Sequence, residues 1–236
     1  MLFSLLACGI AGFAFVLLAL AGPAYRIGLL SLSNAFTLLQ WGGYVGVGAA
    51  ATGALAAVLA YRRGAKLRLA AGLIGMAAGL SAFAVPFEWQ RRDRAAPPIH
   101  DITTDLENPP AFRAVVPLRR DAPNSLERPP DLGELQRQAY PDLGPITVPM
   151  PLDQAFNRAL AVAQESGWTI VTADSASGHI EATDTSRWFG FEDDIVIRLT
   201  PWGAGTRVDV RSVSRVGQGD VGANARRIRR YLDALE

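Results

Sequence analysis

The sequence predicts an α+β protein in which three N-terminal transmembrane helices precede a domain with an antiparallel sheet. One observation is the distribution of charge: residues 1–88 carry only five of the 23 basic and one of the 22 acidic side chains. The others are ten of the fifteen prolines within 93–145 and regular strand and helix periodicity from residue 146 onward. We therefore expect a transmembrane region at 1–92, an ordered proline-rich tether at 93–145 and a soluble domain at 146–236.

Three charge-free windows are each long enough to cross a bilayer. A spanning helix needs about 20 apolar residues, and we place such helices near Leu2–Ala21, Phe36–Ala60 and Leu69–Phe87. Backbone groups in lipid must hydrogen-bond within their own segment, so the windows are expected to be helical. No basic residue precedes the first window, which favours a retained helix over a cleaved signal peptide.

The orientation of these spans follows from the loops. The loop at 62–68 carries four basic residues, and the opposite side also carries four (Arg26, Arg91, Arg92 and Arg94). Positive residues in short loops favour the cytoplasm, whereas long domains cross largely regardless of charge. We predict that the N-terminus and the 62–68 loop are cytoplasmic and that the C-terminal domain lies outside.

Small residues at helical spacing indicate close packing of these helices. Gly42-x-x-x-Gly46 and Gly75-x-x-x-Gly79 let backbones approach. They predict packing within the chain, with a homo-oligomer through the same faces as the alternative. The spans hold no acidic or histidine residue at depth, which disfavours a transporter.

Prolines exclude regular helix or central strand over most of 93–145. Several apolar residues there are available to dock on a neighbouring surface: Ile99, Ile102, Phe112, Val115, Val116, Leu118 and Tyr140. We expect an extended segment that lies against the folded domain.

The periodicity after residue 146 predicts the element order β-α-β-β-β-β-α. A strand at Ile146–Val148 precedes an amphipathic helix at 151–166. Strands follow at Trp168–Ala173 and His179–Asp184, then two more around a Gly-rich turn at 201–205, and a helix runs to the C-terminus. Four consecutive antiparallel strands can bury one face under two helices, an arrangement that is helix-grip-like.

Several segments resemble a known family. The run from His100 to Phe112, the run from Asp184 to Asp194 and the stretch from Asp209 to Ile228 are similar to blocks of the DUF1499 family of uncharacterised bacterial and plastid proteins. The resemblance covers about residues 97–235. Membrane helices ahead of the domain suit some members of the family, and the resemblance implies no established activity. Together with the predicted spans and orientation, we expect an inner-membrane protein of a bacterial cell envelope whose C-terminal domain is periplasmic.

Two motifs each have a functional and a structural interpretation. Gly217-x-Gly-x-x-Gly222 lacks the following strand that a dinucleotide site requires, so Asp220 is interpreted as a helix N-cap. Arg211, Arg215 and Arg227 belong to a basic group that is either a solvated face paired with nearby aspartates or a site for anionic lipid headgroups or envelope polymers. The slightly acidic soluble part disfavours nucleic-acid binding.

Histidine and aromatic residues are the remaining candidates for a binding or metal site. His100, with Asp101 and Asp105, lies in an acidic context, but two lone histidines predict neither a metal site nor a cofactor. The loop residues Arg187, Trp188, Phe189 and Phe191 either cap the sheet or line a site for an apolar ligand or a partner. The acidic residues at 192–194 would repel anionic lipid, which favours a pocket or a partner over membrane insertion.

These observations favour a non-enzymatic envelope module. We expect it to bind a small apolar or anionic ligand, or an envelope protein, through the 187–194 loop and the His100–Asp105 segment. The alternative is a hydrolase that uses a His/carboxylate site at the same place.

Overall fold

The computed structural model describes residues 2–236, which divide into two units: residues 2–92 with 187–190, and residues 93–186 with 191–236. Within these residues, three helices are long and apolar enough to cross a membrane. They are α1 (Leu2–Arg26), α2 (Leu32–Arg62) and α3 (Lys66–Ala95). The predicted three apolar N-terminal helices are therefore confirmed.

Glycines bring α2 and α3 into close contact. A Cβ atom at Gly79 would lie 2.4 Å from the carbonyl oxygen of Gly46 and 2.5 Å from the amide nitrogen of Ala50. A Cβ atom at Gly46 would lie 2.7 Å from the carbonyl oxygen of Gly79. The predicted small-residue spacings thus meet within the chain, and self-association through them stays a prediction.

The second unit is built on a sheet whose described strand pairs are all antiparallel. Its strands are β1 (Asp101–Thr103), β2 (Ile146–Val148), β3 (Thr169–Asp174), β4 (His179–Thr185), β5 (Glu192–Trp202) and β6 (Gly205–Ser214). The strand order is β1-β6-β5-β4-β3, and β2 also pairs with β6. Together with α5 (Leu152–Glu165) and α6 (Ala223–Asp233), β2 to β6 confirm the predicted order β-α-β-β-β-β-α.

One face of this sheet packs against α5 and α6. Ile195 and Ile197 of β5 are buried in the same cluster as Phe156 of α5 and Tyr231 of α6. The Tyr231 hydroxyl donates a hydrogen bond to the carbonyl of Ala159 at 2.9 Å, so the aromatic ring joins the two helices without leaving a polar atom unsatisfied.

The proline-rich segment covers the opposite face. Successive strand residues point to opposite sides, so Val196 faces away from Ile195 and its helix-side neighbours. Val196 and Val213 pack instead against Phe112 and Val115. The second unit therefore has three layers: helices, sheet and proline-rich segment.

Regular structure occurs within this segment, contrary to expectation. It contains β1 and an eight-residue helix, α4 (Leu132–Ala139). Pro130 precedes α4 and Pro141 follows it, so neither ring interrupts its hydrogen bonds. Of the apolar residues expected to dock, Ile99, Ile102, Phe112 and Val115 are buried, whereas Val116 and Leu118 are exposed.

We predict that replacing Gly79 with alanine lowers the free energy of unfolding by about 1–3 kcal/mol, because the new methyl group would collide with the backbone of α2. Thermal unfolding of the full-length protein in detergent micelles measures the effect. Gly48→Ala is the matched control on α2, since a Cβ atom there meets nothing within 4 Å. Equal stability of the two variants would contradict the close approach.

Candidate functional site

Buried charges occupy the sheet face beneath the proline-rich segment. Glu181, Asp194, Asp209 and Arg211 are each almost completely removed from solvent. They alternate along the strands with residues of the helix-side core. A buried charge is costly unless it is paired and hydrogen-bonded, so the partners of these groups determine what the face can do.

Glu181 is held by the backbone of the proline-rich segment, which we call the covering segment. Its carboxylate accepts hydrogen bonds from the amides of Arg113, Ala114 and Val115 at 2.6, 3.1 and 2.8 Å. Its Oε1 also lies 2.7 Å from Nε2 of His179. Burial alone would raise the pKa of Glu181, but these hydrogen bonds outweigh it and hold the pKa below its ordinary value.

Asp194 is held by two arginines. Arg119, from the covering segment, approaches Oδ2 at 2.6 Å, and Arg215 contacts the same carboxylate at 2.9 Å. The Thr183 hydroxyl donates to Oδ1 at 2.7 Å. Burial opposes ionisation, yet these hydrogen bonds hold the pKa of Asp194 below its ordinary value.

A third network joins β1 to β6. Arg211 donates to both carboxylate oxygens of Asp101, at 2.7 and 3.0 Å, and its guanidinium lies 5.3 Å from the ring centre of Phe112. Arg128 donates to the same carboxylate at 2.9 Å. Two of the predicted site residues, Asp101 and Arg211, thus form a bidentate buried pair.

Arg215 and Arg227 neutralise the acidic residues that follow the aromatic loop. Arg215 pairs with Glu192 as well as with Asp194. Arg227 contacts Asp193 at 2.6 Å and Asp184 at 2.8 Å. The expectation of a solvated arginine face is therefore wrong for Arg211, Arg215 and Arg227, because they are largely buried against carboxylates of β1, β4 and β5.

The other residues of the predicted His/carboxylate site have different partners. Asp105 contacts Arg198 and Arg207 at 2.9 and 3.0 Å, in a group shared with Asp209. His100 Nδ1 lies 3.3 Å from the carbonyl oxygen of Gln218. Their contacts therefore place Asp101, Asp105 and His100 in three separate polar groups.

The first unit contains an aromatic cluster centred on Phe189, which is 3% exposed. Its ring centre lies 5.9, 5.7 and 6.3 Å from those of Tyr25, Phe36 and Trp89, near the ends of α1, α2 and α3. Trp188 packs edge-on against Phe189 at 5.0 Å and remains 37% exposed. We call these five residues the aromatic cluster.

Trp188 and its neighbours are fixed to α1. Its indole N–H donates to the carbonyl of Ala19 at 3.3 Å, and a Cβ atom at Gly22 would lie 2.7 Å from the indole ring. Arg26 donates to the carbonyl of Arg187 at 3.2 Å. Phe191, the remaining aromatic residue proposed for this loop, falls within the second unit and is partly buried.

The glycine-rich turn before α6 closes on Asp220. Its carboxylate accepts hydrogen bonds from the amides of Gly222 and Asn224, each at 2.7 Å. The amides that an anion would need are therefore occupied, as the N-cap interpretation expected, although the cap position itself is Gly222. Burial raises the pKa of Asp220.

Sequence reasoning did not single out Arg119, Arg128 or Asp194 as members of these networks. Arg119 and Asp194 lie 75 residues apart, and local spacing carries no signal for such a contact. The one available signal was a charged residue at an inward position of a strand, where an apolar residue is usual.

Comparison with known families agrees with the resemblance seen in the sequence. The family model described as "Protein of unknown function (DUF1499)" matches residues 101–235, which is more than half of the chain. The match includes β1 and α4 as well as the later elements. A comparison with curated proteins finds no match.

We predict that Glu181→Gln lowers the free energy of unfolding by about 2–3 kcal/mol at neutral pH, since fewer acceptors remain for three amides. The folded-state pKa of Glu181 is lowered, so its contribution is complete above the unfolded value of about 4.3. That contribution disappears as the pH falls through the folded value. Unfolding of the full-length protein in detergent, from about pH 7 to about pH 3, measures both effects.

Glu165→Gln provides the control, because Glu165 is exposed at the end of α5. It should leave both the stability and its pH dependence unchanged. If Glu181→Gln behaved like this control, the carboxylate would not be holding the covering segment.

Proposed function

The chain belongs to the DUF1499 family, whose function is unknown, and from that premise we infer that it is a membrane-anchored, non-enzymatic module of the cell envelope. Its three apolar helices are compatible with membrane anchoring. We propose that it binds an apolar ligand or a protein partner at the aromatic cluster. The observation that carries the proposal is Trp188, held against α1 and Phe189 with more than a third of its surface exposed.

The composition of the aromatic cluster supports a binding role. Phe189 anchors the loop, so Trp188 is presented on a fixed support. Tryptophan combines a large apolar ring with a polar edge, and it is enriched both at membrane interfaces and at the centres of binding sites. Trp89, also in the cluster, is 41% exposed and enlarges the apolar surface.

Charge does not oppose an apolar or membrane-embedded partner here. Glu192, Asp193 and Asp194, which were expected to repel anionic lipid, are paired with Arg215 and Arg227. The repulsion that favoured a pocket over the membrane is therefore largely cancelled, and a partner within the bilayer becomes compatible with the loop.

The hydrolase alternative has weaker support. A general base works best with a pKa near the operating pH, whereas the pKa of Glu181 is lowered and its oxygens are occupied by three amides and His179. Asp101 is likewise occupied by Arg128 and Arg211. These groups serve stability rather than proton transfer.

We predict that a photo-crosslinking amino acid at the exposed position 187, in the full-length protein in cells, captures a discrete protein or lipid adduct. Trp188→Ala should reduce the adduct yield severalfold, because the presented ring is lost. Trp202→Ala removes another exposed tryptophan, at the β5–β6 turn, and should leave the yield unchanged. His100→Ala should act only through the amount of folded protein.

Absence of any adduct, or a yield that Trp188→Ala does not change, would overturn the binding role. Mass spectrometry of the adduct separates a lipid from a protein. A hydrolytic turnover that His100→Ala abolishes while folding stays intact would instead support the hydrolase.

The proposed orientation places the N-terminus and the 62–68 loop in the cytoplasm and the second unit in the periplasm, with the spans in the inner membrane. In a Cys8→Ser background, we predict that Gly203→Cys reacts with a membrane-impermeant maleimide in cells with a permeabilised outer membrane. Gly64→Cys should react only after the inner membrane is opened. Both glycines lie in exposed turns, so access to each depends on the side of the membrane. The reverse pattern of reactivity would show that the topology is the opposite of the proposed one.

A further inference from the structure

A second feature of the first unit lies at the other end of the helices. There, where α1 and α3 begin and α2 ends, the helices line a half-open cavity of about 90 Å³. Its lining comprises Phe3, Ser4, Ala56, Leu59, Ala60, Arg63, Ala65 and Arg68. A volume of this size holds several water molecules, so it can accept a small polar group.

The cavity combines an apolar wall with a basic rim. Ala56 and Ala60 form part of the buried wall, whereas Arg63 and Arg68 are exposed at the opening. The hydroxyl of Ser4 donates to the carbonyl of Arg68 at 3.2 Å, which ties the start of α1 to the first turn of α3. The site is therefore built by three helices rather than by one loop.

The basic rim is not neutralised by the chain. Four of the seven residues at 62–68 are Arg or Lys, and the first acidic residue of the sequence is Glu88. Among residues 2–236, Arg63 and Arg68 make no ion pair, in contrast to the arginines of the sheet. A positive rim at the end of apolar helices is a feature of sites for phospholipid headgroups.

We propose that this cavity binds the phosphate group of an anionic phospholipid. Arg63 and Arg68 would contact the phosphate, and the acyl chains would follow the exposed apolar surface beside the cavity, which includes Phe3 and Leu55. A free anion lacks those chains and gains nothing from the apolar surface. The ligand class is therefore a lipid rather than a soluble phosphate.

Native mass spectrometry of the full-length protein in detergent, titrated with phosphatidylglycerol or phosphatidylcholine, tests the site. We expect preferential binding of phosphatidylglycerol, weakened about tenfold or more by Arg63→Gln with Arg68→Gln. The matched control is Arg62→Gln with Lys66→Gln, which removes the same charge from the same loop outside the cavity lining. It should weaken binding by less than about threefold.

Leu59→Trp, which fills the cavity without changing charge, should weaken phosphatidylglycerol binding as the arginine double variant does. Thermal unfolding in the same detergent shows whether each variant is folded. If either Leu59→Trp or the Arg63/Arg68 double variant fails to fold, the other still tests the site. Equal losses in both double variants would reduce the effect to general attraction by the loop and overturn the site. Inorganic phosphate or glycerol 3-phosphate that competes at the lipid's own concentration would overturn the lipid as ligand.

Discussion

The pairing of buried charge on one face of the sheet is the constraint on which the second unit depends. Glu181 requires the amides at 113–115, and Asp194 requires Arg119 and Arg215. Removing one partner of such a buried pair leaves an uncompensated charge, which costs about 3–5 kcal/mol. Because the covering segment supplies many of these partners, it is a structural layer of the second unit rather than a flexible connection.

The pairing of buried charges also bears on the function of the protein. The buried carboxylates and arginines of the second unit are bound to one another, which favours a role in the fold. The exposed groups on which the two proposals rest are apolar or basic and belong to the first unit: Trp188 at one end of the helices, and Arg63 and Arg68 at the other. Both proposals therefore concern recognition at a membrane, and they invoke no reaction.

Local patterns were sufficient to predict the elements but not their polar contacts. The apolar spacing from Leu152 to Ala163 predicted α5, and the alternation at Ile195 and Ile197 predicted β5. The helix α4 was missed because the prolines on either side of it outweighed the signal of its eight residues. The arginines were misread because a charged strand residue looks the same in sequence whether water or a distant carboxylate surrounds it.

The contact between Asp101 and Arg211 joins residues that are 110 positions apart. A ribosome adding about 5–20 residues each second needs on the order of 5–20 s to make the second partner after the first. During that interval β1 and the covering layer have no β6 on which to assemble. The many prolines of this layer oppose strand pairing and aggregation of the unassembled chain until the last strand is synthesised.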